Sequence, residues 1–173
     1  MTDPQWLEAP IQRLFFALWP PEPLADALHQ ATYAMQGRVM NRAGLHVTLA
    51  FIGPQLTERV PALCEVAERC ALPRTTLHFN RLQHWSKQLV VAVVDETPAA
   101  LQDFVLHLHA ELRAMNIRVE PRSWTPHITL LRKAPEQVLP EIAPAPWTLD
   151  VWHLVASDGR GGYRVLTSWG LQK

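Results

Sequence analysis

Apolar residues run almost unbroken from Arg13 to Pro20, RLFFALWP, and stop at a double proline, the pattern of a short buried strand. From Pro21 the period changes: Leu24, Leu28, Ala31 and Met35 keep one helical face, and Gly37 stands where a C-terminal cap belongs. LHVTLAFIG returns to strand. Thr57 can cap a second helix with the stripe Val60, Leu63, Cys64 and Ala67, broken by Pro73. TTLHFNRLQHW and QLVVAVVD read as two strands around a Ser-Lys turn. Between Ala99 and Met115, the residues Leu101, Phe104, Val105, Leu108, Leu112 and Met115 fall at helical spacing, the clearest amphipathic pattern in the chain, and lead into a strand at PHITLLR. After a proline-rich connection from Ala134 to Pro146, WTLDVWHLVASDGRGGYRVLTSWGL reads as two strands joined by an Asp-Gly-Arg-Gly-Gly turn.

Strand, helix, strand therefore occurs twice, and each copy ends on the same pattern. His-Val-Thr-Leu starts at His46 and His-Ile-Thr-Leu at His127, 127 − 46 = 81 positions apart. Side chains alternate across a strand, so His46 and Thr48, like His127 and Thr129, share one face, while Val47, Leu49, Ile128 and Leu130 share the other. One such pair is what any half-buried strand can carry, because Thr favours strands. Two pairs at equivalent places in a repeated unit point to shared chemistry. Imidazole titrates near neutral pH, so two facing one cleft can divide acid and base work, one neutral while the other is charged. Each Thr hydroxyl can donate to a phosphate oxygen and stabilise charge as it builds.

Charge narrows what such a cleft can hold. Lys plus Arg and Asp plus Glu number 16 each, so no net field gathers a long polyanion or an anionic membrane, and any phosphate must be read locally. At 173 residues the chain has the size of a single domain, 1–173, with no linker to divide it. The N-terminal stretch lacks the basic region, apolar run and cleavage site of a signal peptide, and no apolar run reaches the ~18 residues of a membrane span. Cys64 and Cys70 diverge in direction along the expected second helix, so no disulfide is expected and a reducing, cytoplasmic setting fits.

A metal centre competes for the two imidazoles. Zinc draws three or four ligands from His, Cys, Asp and Glu, and neither motif has an acidic or thiol neighbour on its own face, so no metal is expected. His107 and His109 differ by about 200° around a helix, which puts one in solvent and the other at the core. His29, His78, His84 and His153 have no repeated partner and read as surface or hydrogen-bonded structural residues. Arg132 closes the second motif; in a regular strand it lies on the face of Ile128 and Leu130, and only a twist, bulge or loop turns it toward a phosphate beside His127. Phe51 after the first motif, Trp85 at a hairpin end and Trp124 before the second motif are candidates for a base to stack on. DGRGG is not followed by a helix and lacks the setting of a phosphate-cradling loop.

Through HVTL and HITL the chain resembles the two-histidine (2H) phosphoesterase superfamily, named for two His-apolar-Thr-apolar motifs, and more closely the bacterial RNA 2′,3′-cyclic phosphodiesterases, also called 2′-5′ RNA ligases. The resemblance covers nearly the whole chain: the early RLFFAL strand, LHVTLAFIG, a Trp-bearing hairpin before an apolar strand, PHITLLR and the terminal hairpin. It implies an α+β fold of two pseudo-symmetric lobes, mainly antiparallel sheet with outer helices around a central cleft. It also implies His46 and His127 as catalytic, Thr48, Thr129 and Arg132 on the phosphate, and no cofactor or metal.

By the family's pattern one His activates water against a 2′,3′-cyclic phosphate and the other protonates the departing 3′ oxygen, leaving a 2′-phosphate, with His127 as base and His46 as acid. The same site, with a 5′ hydroxyl as nucleophile or leaving group, joins RNA ends through a 2′-5′ bond. The expected partners are RNA ends or nucleotides bearing a 2′,3′-cyclic phosphate, with no membrane and no protein partner. A rival class is a nucleotide- or RNA-binding module on the same fold without turnover. Two complete His-Thr pairs argue against it, because binding alone needs no second titrating group.

Overall fold

The computed structural model describes residues 9–86, 88–120, 123–143 and 145–170. Residues 1–8 of the N-terminal stretch, Lys87 of the expected Ser-Lys turn, Pro144 of the proline-rich connection and Leu171 of the last expected strand lie outside the described residues. The strands are β1 (Ile11–Leu18), β2 (Arg38–Val39), β3 (Val47–Leu56), β4 (Thr76–Trp85), β5 (Leu89–Val94), β6 (His127–Arg132), β7 (Ala145–Thr148), β8 (Val151–Ser157) and β9 (Tyr163–Gly170). The helices are α1 (Glu22–Ala31), α2 (Val60–Glu68) and α3 (Ala99–Ala114).

All strand pairs are antiparallel, and the order across the sheet is β7-β4-β5-β6-β3-β1-β8-β9, with β2 added on β6. The two motif strands sit at the centre. They meet at one pair only, Val47 opposite Ile128, and diverge from there. On each side of this seam the motif strand is backed by the first strand of its own repeat, β1 behind β3 and β5 behind β6, and then by two outer strands. The duplicated strand-helix-strand unit of the sequence thus becomes two lobes.

Alternation along the motif strands decides what faces where. Val47, Leu49, Ile128 and Leu130 are fully buried and join one core with Leu24 and Leu28 of α1, Leu63 and Val66 of α2, and Leu101, Val105, Leu108 and Leu112 of α3. The helices therefore cover one face of the sheet, and the His-Thr face is left to the cleft. Truncating any of those leucines to Ala costs about 2–5 kcal/mol. A small second cluster, Phe15, Ala17 and Val155 with Trp19 and Tyr163 against it, lies apart from the main core.

Four local expectations give way to tertiary structure. Thr57 does not cap the second helix: a 3₁₀ turn covers Thr57–Arg59 before α2, and the Thr57 hydroxyl donates to the Ala9 carbonyl at 2.9 Å. The first helix ends at Ala31 and a 3₁₀ turn covers Thr32–Ala34, so Met35 and Gly37 lie beyond it. Gly37 serves a close approach instead of a cap: its φ is +138°, and a Cβ there would stand 3.1 Å from Ala134 Cα and 3.2 Å from the Arg132 carbonyl oxygen. The first of the two final strands is divided at Leu149 and Asp150, so that β7 pairs with β4 in one lobe and β8 with β1 in the other. Cys70 lies past the end of α2, and both cysteines are free. Among the described residues no helix is long and apolar enough to cross a membrane.

Candidate active site

Each motif strand carries a bulge at the same place, and it reorganises the face that alternation builds. Val90 opposes Leu131 and Val91 opposes Thr129, so Leu130 has no partner on β5. Phe16 opposes Ala50 and Ala17 opposes Thr48, so Leu49 has none on β1. One extra residue reverses the alternation beyond it. Hence Leu130 and Leu131 are both buried while Arg132 comes out on the His127–Thr129 side, and Ala50 is buried while Phe51 comes out on the side of His46 and Thr48. Arg132 and Phe51, each five positions after its motif His, are equivalents across the pseudo-symmetry.

The histidines are tethered in the same way. His46 Nδ1 lies 2.7 Å from the Gly44 carbonyl oxygen, and His127 Nδ1 lies 2.9 Å from that of Thr125. A carbonyl only accepts, so Nδ1 carries the proton in the neutral ring and the lone pair sits on Nε2. Both rings also rest on indoles. Trp19 stacks on His46 with centroids 5.1 Å apart and planes at 22°, and Trp85 meets His127 at 4.4 Å and 45°. Phe15 and Tyr163 close two further sides of His46, at 5.0 and 5.2 Å. Trp19 is itself held by its indole N–H, which donates to the Ala43 carbonyl at 2.9 Å.

Around these groups lies a cleft of about 510 Å³, lined by His46, Thr48, Phe51, His127, Thr129 and Arg132 together with Arg13, Phe15, Arg38, Tyr163 and the turn Gly159–Gly161. A second hollow of about 360 Å³ adjoins it, sharing Thr48, Phe51 and His127 and adding Trp85 and Trp124. Trp124 is half-buried there, its N–H donating to the Thr48 carbonyl at 2.8 Å. All eight residues singled out in the sequence therefore border one of the two hollows. The sequence pattern did not reveal Trp19, Phe15, Tyr163, Arg13, Arg38 or the glycine turn. Phe15 and Tyr163 sit in strands that read as uniformly apolar or as a plain hairpin, and only the registers of β1 against β3 and β8 and of β8 against β9 bring them to His46. His107 and His109 divide as expected: His109 is buried, bonded to the Leu49 carbonyl at 2.8 Å, and His107 is half exposed beside Glu111. Among the described residues no three His, Cys, Asp or Glu side chains converge as a metal site.

Electrostatics favour neutral imidazoles in this cleft. Burial pushes His46 below the ordinary value of 6.5, the Gly44 carbonyl opposes this, and the positive charges of His127 and Arg132 push it down further. Burial lowers His127 too, against the Thr125 carbonyl, and it also lowers His109 and His153. For a group whose folded pKa is depressed below its unfolded value, the unfolded chain binds more protons between the two values, so stability falls as pH drops through that window. The melting temperature should be level above about pH 7.5 and decline as pH falls below about 6.5, ahead of any carboxylate titration. A melting temperature constant from about pH 8 to pH 5 would show that these imidazoles protonate without cost in the folded protein.

Comparison with known proteins agrees with the fold and the motifs. The family model of the 2′-5′ RNA ligase superfamily matches residues 20–161. The Escherichia coli (strain K12) RNA 2′,3′-cyclic phosphodiesterase is 33% identical over 170 residues, covering 92% of this chain and 97% of that protein. The crystal structure of E. coli LigT complexed with 3′-AMP superposes with a TM-score of 0.86 at 29% identity, over 94% of this chain and 99% of that one. LigT complexed with phosphate gives 0.81 at 28% identity, over 95% of this chain and 100% of that one. With two His-Thr pairs on a curled antiparallel sheet and a match over most of its length, the chain belongs to the 2′-5′ RNA ligase superfamily of two-histidine phosphoesterases.

Proposed function

We propose that this protein is an RNA 2′,3′-cyclic phosphodiesterase whose two lobes act as one domain, working in the cytoplasm on RNA ends or nucleotides bearing a 2′,3′-cyclic phosphate. The observation that carries the reading is the pair of histidines, each tethered through Nδ1 so that Nε2 is left for the cleft, each beside a threonine of its own strand. Neither lobe holds both halves of the site. The kinship with an enzyme named for this activity points the same way.

In this mechanism water attacks phosphorus and His127 Nε2 takes its proton. The bond from phosphorus to O3′ breaks, and protonated His46 gives its proton to O3′, leaving a 3′ hydroxyl and a 2′-phosphate. Thr48, Thr129 and Arg132 donate to the phosphate oxygens as charge accumulates. His46, enclosed by Trp19, Phe15 and Tyr163, suits the leaving-group side, and the less enclosed His127 suits the side from which water arrives. Replacing water by a 5′ hydroxyl makes a 2′-5′ bond at the same site. Phe51, Trp85 and Trp124 offer faces to the base.

The pH profile tests the scheme. Catalysis needs one neutral and one protonated imidazole, so kcat/KM should trace a bell whose limbs belong to the coupled pair. Both rings are depressed in the free cleft, so the maximum should fall on the acid side of 6.5. A bound phosphate anion favours the imidazolium, so the alkaline limb of kcat should lie higher than that of kcat/KM. The measurement is made in excess chelator. A chelator-sensitive plateau would replace this mechanism by a metal-bound hydroxide, and binding without turnover would leave a nucleotide-binding module.

A further inference from the structure

The chain is neutral overall, yet its cleft is not. Four arginines line it, Arg13, Arg38, Arg132 and Arg160, and no Asp or Glu is among the lining residues. Outside the cleft three arginines are matched with acids: Arg42 with Glu22 and Asp26, Arg69 with Glu111, Arg81 with Asp95. Among the described residues none of the four cleft arginines is in an ion pair. One phosphate bearing the cyclic ester does not call for four such charges.

Their positions divide them. Arg38 is the register partner of Arg132, so these two belong to the wall made by β2 and β6. Arg13 and Arg160 belong to the opposite wall, beyond β3. Arg13 lies over the Phe51 ring at 5.6 Å, and its Cδ would be 3.7 Å from a Cβ on Gly159. Its stem thus passes the turn that carries Arg160, and its guanidinium lies over Phe51. That turn is built to present the arginine. Gly159 and Gly161 adopt φ of +76° and +100°, and a Cβ on Gly162 would collide with the Asp158 carboxylate. Asp158 is drawn inward: its Oδ1 accepts from the Arg160 and Gly162 amides at 2.7 and 2.9 Å, and although the Arg160 charge helps hold this carboxyl below its usual range, the two side chains form no ion pair.

We propose that Arg13 and Arg160 form a second phosphate subsite that takes the internucleotide phosphate on the 5′ side of the cyclic end, so that the cleft favours an RNA end over a lone nucleoside cyclic phosphate. This rests on the cyclic phosphodiesterase reading above. The terminal nucleoside then spans the two walls, with its reacting phosphate between the histidines and Arg132 and its 5′ phosphate beyond Phe51. Charge-assisted, forked guanidinium contacts suit a phosphodiester that carries one negative charge and no proton to titrate.

The test compares binding of a nucleoside 2′-phosphate and the matching 2′,5′-bisphosphate by calorimetry, alongside turnover of a mononucleoside and a dinucleotide 2′,3′-cyclic phosphate. Wild type should bind the bisphosphate about tenfold or more tightly than the monophosphate and prefer the dinucleotide by a similar factor. Arg13→Gln and Arg160→Gln should each remove most of that preference while changing the monophosphate far less. Arg38→Gln, on the other wall, should weaken both ligands in proportion. Equal affinity of wild type for the two ligands overturns the second subsite and leaves the phosphodiesterase reading standing. Loss of the preference in Arg38→Gln as complete as in the other two also overturns it, in favour of a diffuse positive field. Binding of neither ligand together with no turnover overturns both readings at once.

Discussion

His46→Ala and His127→Ala should each lower turnover of a 2′,3′-cyclic phosphate by about 10² to 10⁴, the range that general acid or base assistance supplies. The double variant should fall little further than the worse single one, because the acid and the base act in one step and their losses do not add. Neither ring holds the fold together: each makes one hydrogen bond, to a carbonyl two residues back, and both belong to the cleft face and not to the main core. Folded variants with matching circular dichroism and melting temperature above neutral pH are therefore expected. Product affinity should survive better than rate, since the threonines and Arg132 stay in place. A loss below tenfold in either variant would remove that histidine from the mechanism.

Much of this site is legible in the sequence. The repeat, the sharing of a face by His and Thr, and the burial of Val47, Leu49, Ile128 and Leu130 follow from a period of two, a property each strand carries locally. What could not be read depends on partners. The bulges at Leu49 and Leu130 exist only as mismatches between paired strands, so strict alternation put Arg132 on the face of Ile128 and Leu130, and the resemblance alone restored it to the phosphate. β2 is two residues long and has no pattern of its own; it exists because β6 offers it an edge. Phe15 and Trp19, in β1 and directly after it, and Tyr163 of β9 enclose His46 through register, not proximity in sequence. The DGRGG turn was legible as a hairpin turn, but the cleft it borders is formed by strands as far back in the chain as β1 and β3.

The bulge at Leu130 makes Arg132 the most direct test of how strand irregularity serves chemistry. Arg132→Ala should reduce kcat by about 10² to 10³, the scale for losing one charged donor at developing negative charge, with a smaller change in KM. Arg132→Lys keeps the charge without the planar fork and should recover only part of the loss. Phe51, its counterpart across the pseudo-symmetry, carries no charge; Phe51→Leu should raise KM while leaving kcat within about threefold, as loss of a stacking face would. The contrast matters because both side chains reach the cleft through the same backbone device. Arg132 is exposed and in no ion pair among the described residues, so its truncation should leave the melting temperature in place and the rate loss can be assigned to the reaction. If Arg132→Ala retains kcat within about threefold, the second bulge serves packing of Leu131, and charge stabilisation must come from the threonines and His46 alone.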